Sequence, residues 1–235
     1  MAGDREREKQ KKELHLRQIA SAKARRRGAP DLERPAPSKP VKPVILIVCE
    51  GENTEPSYFR QFRLTSATIK TIGKGYNTVS LVNQASQIKE QGTFEQVWCV
   101  FDKDSNTAAD FNHAIALAEQ FGFGIAYSNQ AFEYWLILHF EDHQGGGMSR
   151  EEYNGKINHY INPLQARYDG NGSKLITSAF FDLLAGVEQF TGKGRTELAI
   201  ERAKRNYAQL DHRSPALEES STTVFRLVQE ILTFT

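Results

Sequence analysis

The chain has 235 residues, of which 39% are hydrophobic, so it is long enough for one good-sized domain with an ordinary core. No apolar run approaches the roughly 20 residues of a membrane span, and the N-terminus is charged with no apolar segment behind it. We therefore expect a cytoplasmic protein without membrane contact. The formal net charge of +1 hides an asymmetry, because residues 1–43 carry 13 Lys and Arg against 6 Asp and Glu.

That basic N-terminal segment has two interpretations that the sequence leaves open. It can hold nucleic-acid phosphates through counterion release, or it can be a solvated tail that aids solubility. Residues 6–23 are charged with few apolar positions, so a helix there would bury little. The Pro-rich stretch 30–43 excludes regular structure. We predict that residues 1–43 form a flexible arm.

After this arm the chain alternates apolar, β-branched runs with stretches of helical spacing. Such alternation, with short turns, predicts right-handed βαβ units, and hence an α/β core with a mostly parallel, four-stranded sheet flanked by helices. The predicted strands are 44–49, 68–72, 96–101 and 124–127. The predicted helices between them are 56–65, 79–91 and 107–121.

Beyond the last predicted strand the pattern becomes helical. We assign residues 44–140 to the α/β core and residues 141–235 to a helical C-terminal portion packed on it. The predicted helices are 131–140, 149–160, 173–184, 195–210 and a last one that Ser221 opens. Cys49 and Cys99 lie within predicted core strands, which indicates buried reduced thiols rather than a disulfide or a zinc site.

Carboxylates follow two of the predicted strands at the point where each strand ends. Glu50 follows the first strand, and Asp102 and Asp104 follow the third. The carboxyl ends of parallel strands share one edge of the sheet, where ligands bind in open α/β folds. Gathering these acids would cost repulsion unless a cation compensates. Hard oxygen ligands without His or Cys favour Mg²⁺ or Mn²⁺.

The number of cations stays open at this stage. If Glu55 joins the three acids, a pair of metals is feasible, although an acid at a helix N-terminus also stabilises the helix dipole without any metal. With Glu50, Asp102 and Asp104 alone, a single metal with Glu50 as general acid/base is the better interpretation.

Three further residues are candidates to support the site. Glu133 follows the fourth strand at the same sheet edge, where it either joins the acids or serves as a cap or salt-bridge partner. Lys103 and Lys174 can each contact a phosphate or be surface lysines. His139 lies in a very apolar stretch and is expected to be a packed core residue.

Four motifs occur in order along the chain: Cys49-Glu50-Gly51-x-x-Thr54-Glu55-Pro56-x-Tyr58-Phe59, Phe101-Asp102-Lys103-Asp104, Ser128-Asn129-x-x-Phe132-Glu133-x-Trp135-Leu136-x-Leu138-His139-Phe140 and Ser221-Thr222-Thr223-Val224. The acids after the two strands resemble the Toprim domain of topoisomerases, primases and OLD-type nucleases, and the four motifs more specifically resemble the RloB family of restriction- and abortive-infection-associated bacterial proteins. The resemblance runs from about Val44 to the C-terminus. One departure is Gln130, where the family usually has Pro.

The Toprim resemblance implies that Glu50 is the general acid/base and that Asp102 and Asp104 bind Mg²⁺. The RloB resemblance implies phage defence, with nucleic acid as substrate and an ATPase of the RloA type as partner. We therefore predict a metal-dependent endonuclease acting on DNA or RNA, and assembly as a homo-oligomer is compatible with this prediction.

The same residues are compatible with functions other than a nuclease. A non-catalytic Toprim-fold module that binds nucleic acid or a partner ATPase is the main alternative. A haloacid-dehalogenase-like phosphatase would use Asp102 as nucleophile, but its motif usually opens the domain. Topoisomerase chemistry would need gate domains for which this chain has no room, and primase activity would need nucleotide and template modules that the sequence does not show.

Overall fold

The computed structural model describes residues 2–26, 42–73, 75, 77–144 and 146–235. The chain divides into two compact units, Met1–Val41 and Lys42–Thr235. In the first unit, helix α1 spans Ala2–Arg26, and its side chains from residue 6 to residue 24 are exposed. It is rich in Ala, Glu, Lys, Arg and Gln, which favour helix without a core. Most of the predicted flexible Pro-rich stretch lies outside the described residues.

The second unit is built on a sheet of five strands. They are β1 (Val44–Cys49), β2 (Thr68–Gly73), β3 (Gln96–Asp102), β4 (Gly124–Asn129) and β5 (Ser221–Thr222). Their order across the sheet is β2-β1-β3-β4-β5, and β1 to β4 are parallel as predicted. The predicted number of four strands is wrong, because β5 pairs antiparallel with β4.

The helices of the second unit cover both faces of this sheet. They are α2 (Thr54–Phe59), α3 (Thr78–Glu90), α4 (Ala108–Gln120), α5 (Glu133–Ile137), α6 (Arg150–Ile161), α7 (Ser178–Ala185), α8 (Arg195–Tyr207) and α9 (Val224–Leu232). Short 3-10 turns occur at Asn162–Leu164 and Pro215–Leu217. Within the described residues, none of the helices combines the length and the apolar character needed to cross a lipid bilayer.

Side-chain caps set several helix starts. Thr107 and Thr177 each accept a backbone hydrogen bond from the first turn of α4 and α7, and Ser149 forms a capping box with Glu152 at α6. The cap at Thr177 explains why α7 begins later than the predicted residue 173. The predicted last helix also begins later, because Ser221 belongs to β5 rather than to α9.

The core has one layer on each face of the sheet. Alternate residues of β1 face opposite layers: Leu46 and Val48 pack with α3 and α4, whereas Ile45, Ile47 and Cys49 pack with the C-terminal helices. Burial on both faces is why these strands read as continuous apolar runs. The helices after residue 141 therefore complete one side of the core that holds the acidic strand ends in place.

Candidate functional site

Glu50 and Asp102 lie side by side at the carboxyl edge of the sheet. The Glu50 backbone N–H donates to the Val100 carbonyl at 2.9 Å, which extends the β1–β3 ladder by one residue. The Asp102 backbone N–H donates to Glu50 Oε2 at 3.1 Å. Asn106 Nδ2 donates to Glu50 Oε1 at 3.4 Å and to the Asp102 carbonyl at 3.2 Å. Both oxygens of the Glu50 carboxylate are therefore oriented by donors from the β3 end.

The Asp102 carboxylate is buried beside other acids. The Phe132 backbone N–H donates to its Oδ2 at 3.0 Å, whereas its Oδ1 is buried without a hydrogen-bond partner. Burial raises the pKa of Asp102 well above its usual value, and the charges of Glu55 and Glu133 raise it further. An ionised Asp102 thus lacks the compensation that a buried charge requires.

Glu55 and Glu133 belong to the same acidic group. Glu55 lies in the first turn of α2 and is 5% exposed, and Glu133 begins α5 and is 6% exposed. Burial, followed by the charges of Glu133 and Glu50, raises the pKa of Glu55 to about 7. Tyr168 Oη donates to Glu133 Oε1 at 2.7 Å. These two acids face the other carboxylates rather than solvent, so a capping role alone does not account for them.

A cavity of about 340 Å³ opens between these elements. Asp104 lies on its wall, with a left-handed φ of 33° and its backbone N–H donating to the Gln130 carbonyl. Lys174 is the basic residue on the wall among those that the structure describes. The described residues that line it are Glu50, Gly51, Glu52, Asn53, Thr54, Glu55, Asp102, Asp104, Phe132, Glu133 and Lys174.

The two lysines that were predicted to support the site differ in their position relative to the cavity. Lys174 lies on the cavity wall, but Lys103 does not line it, and Lys103 Nζ donates instead to the Asn106 carbonyl. That bond closes the loop that carries Asn106 towards Glu50. The departure at Gln130 leaves Glu133 at the cavity, with a cis peptide bond between Asn129 and Gln130.

The donor set fits a hard divalent cation in its chemistry. In the described part of the chain, no three His, Cys, Asp or Glu side chains are already arranged as a metal-binding group. Two observations fit a cation: Asp102 Oδ1 is buried without a hydrogen-bond partner, and burial together with the charges of Glu133 and Glu50 raises the pKa of Glu55. All the acids on the wall offer carboxylate oxygens, which Mg²⁺ and Mn²⁺ prefer.

The histidine and the two cysteines that were predicted to be core residues rather than site residues are buried in the structure. His139 is fully buried, with Nδ1 donating to the Trp135 carbonyl at 3.0 Å, and burial lowers the pKa of His139 to about 3. It is the packed core residue that was predicted. Cys49 and Cys99 are buried free thiols, also as predicted.

Sequence reasoning missed Asn106 and Tyr168. Asn106 carried a usable signal, because it follows Asp102 by four residues within the acidic loop, and a turn can return its amide to the strand end. Tyr168 carried none, since it is 35 residues from Glu133 and approaches it only through the packing of the C-terminal helices.

Together these features define a class: an α/β protein with a mostly parallel sheet and an acidic cavity at the carboxyl edge of that sheet. A family model described as RloB-like protein matches residues 45–231. The chain therefore belongs to the RloB-like family, which confirms the resemblance found in its motifs. No curated protein and no solved structure matches it.

Proposed function

We propose that this protein is a divalent-metal-dependent endonuclease that hydrolyses phosphodiester bonds in DNA or RNA. The observation that carries the proposal is the buried Asp102 carboxylate, whose Oδ1 has no hydrogen-bond partner and whose neighbours are further carboxylates. A fold has no stabilising reason to bury such a group, because an unpaired buried charge is costly. Perturbed acids in a cavity are typical of functional sites.

In this proposal Glu50, Glu55, Asp102 and Asp104 hold Mg²⁺ or Mn²⁺. When bound, the cation supplies positive charge to the phosphate oxygens and lowers the pKa of water. The Phe132 backbone N–H fixes one Asp102 oxygen at 3.0 Å, which leaves the other oxygen for the metal. The buried walls limit the water that would otherwise screen these charges.

Glu50 is the proposed general acid/base. Its two oxygens accept hydrogen bonds from the Asp102 backbone and from Asn106, so the carboxylate is held at the strand end in a defined orientation. From there it can accept a proton from the attacking water or return one to the leaving oxygen. Lys174, the cation among the described residues of the wall, is suited to contact the phosphate.

The resemblance to the RloB family supports a biological setting for the proposal. We propose a cytoplasmic phage-defence effector that acts with an ATPase of the RloA type and can form a homo-oligomer. The basic helix α1 adds an electrostatic surface for nucleic acid, with exposed side chains from residue 6 to residue 24.

Cleavage of supercoiled plasmid and of total tRNA by the purified full chain, with Mg²⁺ or Mn²⁺, tests the proposal. We expect cleavage by wild type, a loss of at least about 100-fold for Glu50→Gln and Asp102→Ala, and no loss for Asp182→Asn, an exposed acid on α7. A Glu50→Gln protein that cuts like wild type refutes it. Nucleic-acid binding without cleavage that survives Asp102→Ala would instead establish a non-catalytic module.

A further inference from the structure

A buried chain of hydroxyl groups connects α2 to Glu133 through Tyr168. Tyr168 is 1% exposed, its Oη donates to Glu133 Oε1 at 2.7 Å, and Thr54 Oγ1 lies 3.3 Å from the same Oη. A phenol has one proton to donate, and here it is directed to the carboxylate. The Thr54 hydroxyl is therefore the donor to Tyr168, and the Tyr168 hydroxyl is the donor to Glu133.

The position of Tyr168 is itself fixed by α6. The Tyr168 backbone N–H donates to Asn158 Oδ1 at 2.9 Å, and Asn158 Nδ2 donates to the Tyr168 carbonyl at 2.7 Å. The Tyr168 ring also packs against Phe180 of α7, with 5.8 Å between ring centroids. With its backbone held at both polar atoms and its ring packed, the phenol has little freedom to move away from Glu133.

We propose that Tyr168 is a positioning residue that holds Glu133 in place for the reaction, so that the C-terminal helices complete the acidic site. Tyr168 does not line the cavity, and it acts through Glu133, which does. A carboxylate beside Glu55 and Asp102 is repelled by both, so without a donor on its far side it would reorient away from them. This inference rests on the proposed function.

The test is a double-mutant cycle with Tyr168→Phe and Glu133→Gln in the full chain. Tyr168→Phe removes the hydroxyl and keeps the packed ring. We expect kcat to fall about 10- to 100-fold, as for other groups that orient ligands, while KM for nucleic acid is unchanged. In the Glu133→Gln background the same change should cause no further loss, because the residue through which Tyr168 acts is already neutralised.

Tyr160→Phe is the matched control. Tyr160 Oη also donates to a carboxylate, Glu141 Oε2 at 2.5 Å, but neither residue lines the cavity. We expect its kcat to match wild type. If Tyr168 were merely structural, Tyr168→Phe would lower activity by the same factor in both backgrounds, and that result overturns the inference.

Calorimetric Mn²⁺ binding gives a second measurement that does not depend on turnover. We expect Tyr168→Phe to weaken Mn²⁺ binding about 10-fold in the wild-type background and to have no effect in Glu133→Gln. If Asp102→Ala abolishes cleavage while Tyr168→Phe cuts and binds like wild type, the inference fails and the proposed nuclease stands. If wild type neither cuts nor binds the ion, both fail.

Discussion

Replacing Glu55 with Gln should stabilise the metal-free protein at neutral and alkaline pH. Glu55 is 5% exposed, and burial together with the charges of Glu133 and Glu50 raises its pKa from 4.5 to about 7. The glutamine keeps the shape and removes the charge. An acid whose pKa is raised by folding favours the folded state when protonated, so its benefit is complete below about pH 4.5 and is lost as the pH rises through about 7.

The size of this effect follows from the shift. Each pKa unit corresponds to about 1.4 kcal/mol, so a rise from 4.5 to about 7 makes Glu55 cost about 3 kcal/mol of unfolding free energy above neutral pH. That is a large fraction of the usual stability of a domain. Asp102 titrates in the same direction, so the Glu55→Gln protein should keep part of the wild-type pH dependence.

Urea unfolding between pH 4.5 and pH 8 in the presence of a chelator measures the difference. At pH 8 we expect Glu55→Gln to exceed wild type by up to about 3 kcal/mol, and at pH 4.5 the two should nearly coincide. Glu90→Gln, at an exposed position of α3, should leave the wild-type slope unchanged. Parallel pH profiles for wild type and Glu55→Gln would show that Glu55 is not buried among unscreened charges.

Three other predictions concern the core and the turns that support the site. Burial lowers the pKa of His139 from 6.5 to about 3, so its protonation should remove up to about 5 kcal/mol of the wild-type unfolding free energy as the pH falls from 6.5 to about 3. Urea unfolding across this pH range should show that His139→Asn lacks this contribution. A Cβ at Gly73 would collide with the backbone of the turn after β1, so Gly73→Ala should cost more than about 1 kcal/mol in thermal or urea unfolding, whereas Gly155→Ala, in open space on α6, should stabilise by about 1 kcal/mol. Burial raises the pKa of Cys99 to about 12 and that of Cys49 well above its usual value, so a thiol reagent should label neither until urea unfolds the chain; rapid labelling of the folded protein would contradict this.

The parallel core and the acids at its edge could be predicted because both depend on local pattern. The runs 44–49 and 97–101 are continuous and apolar, since both of their faces are covered, and this composition is visible without tertiary information. Parallel strands place their carboxyl ends at one edge whatever the helices do. That rule brings Glu50 beside Asp102, where the Asp102 backbone N–H donates to Glu50 Oε2 at 3.1 Å.

The strand β5 could not be predicted, because a two-residue strand is too short to show the alternation of apolar and polar residues that identifies a strand. Ser221 and Thr222 become a strand only because the edge of β4 offers unpaired backbone groups, and Ser128 Oγ and Thr222 Oγ1 meet there at 3.1 Å. Their composition suits the start of a helix equally well. The choice is therefore made by the partner strand, more than ninety residues away along the chain.

The complete acidic site was likewise decided by tertiary structure. The sequence by itself determined which acids end strands and that they share an edge. It could not determine that Glu55 and Glu133 are buried, because burial depends on the helices that close over them, nor that Tyr168 donates to Glu133. Burial removes the water that would screen these charges, and the pKa values that make the site chemically distinctive arise only after the chain has packed.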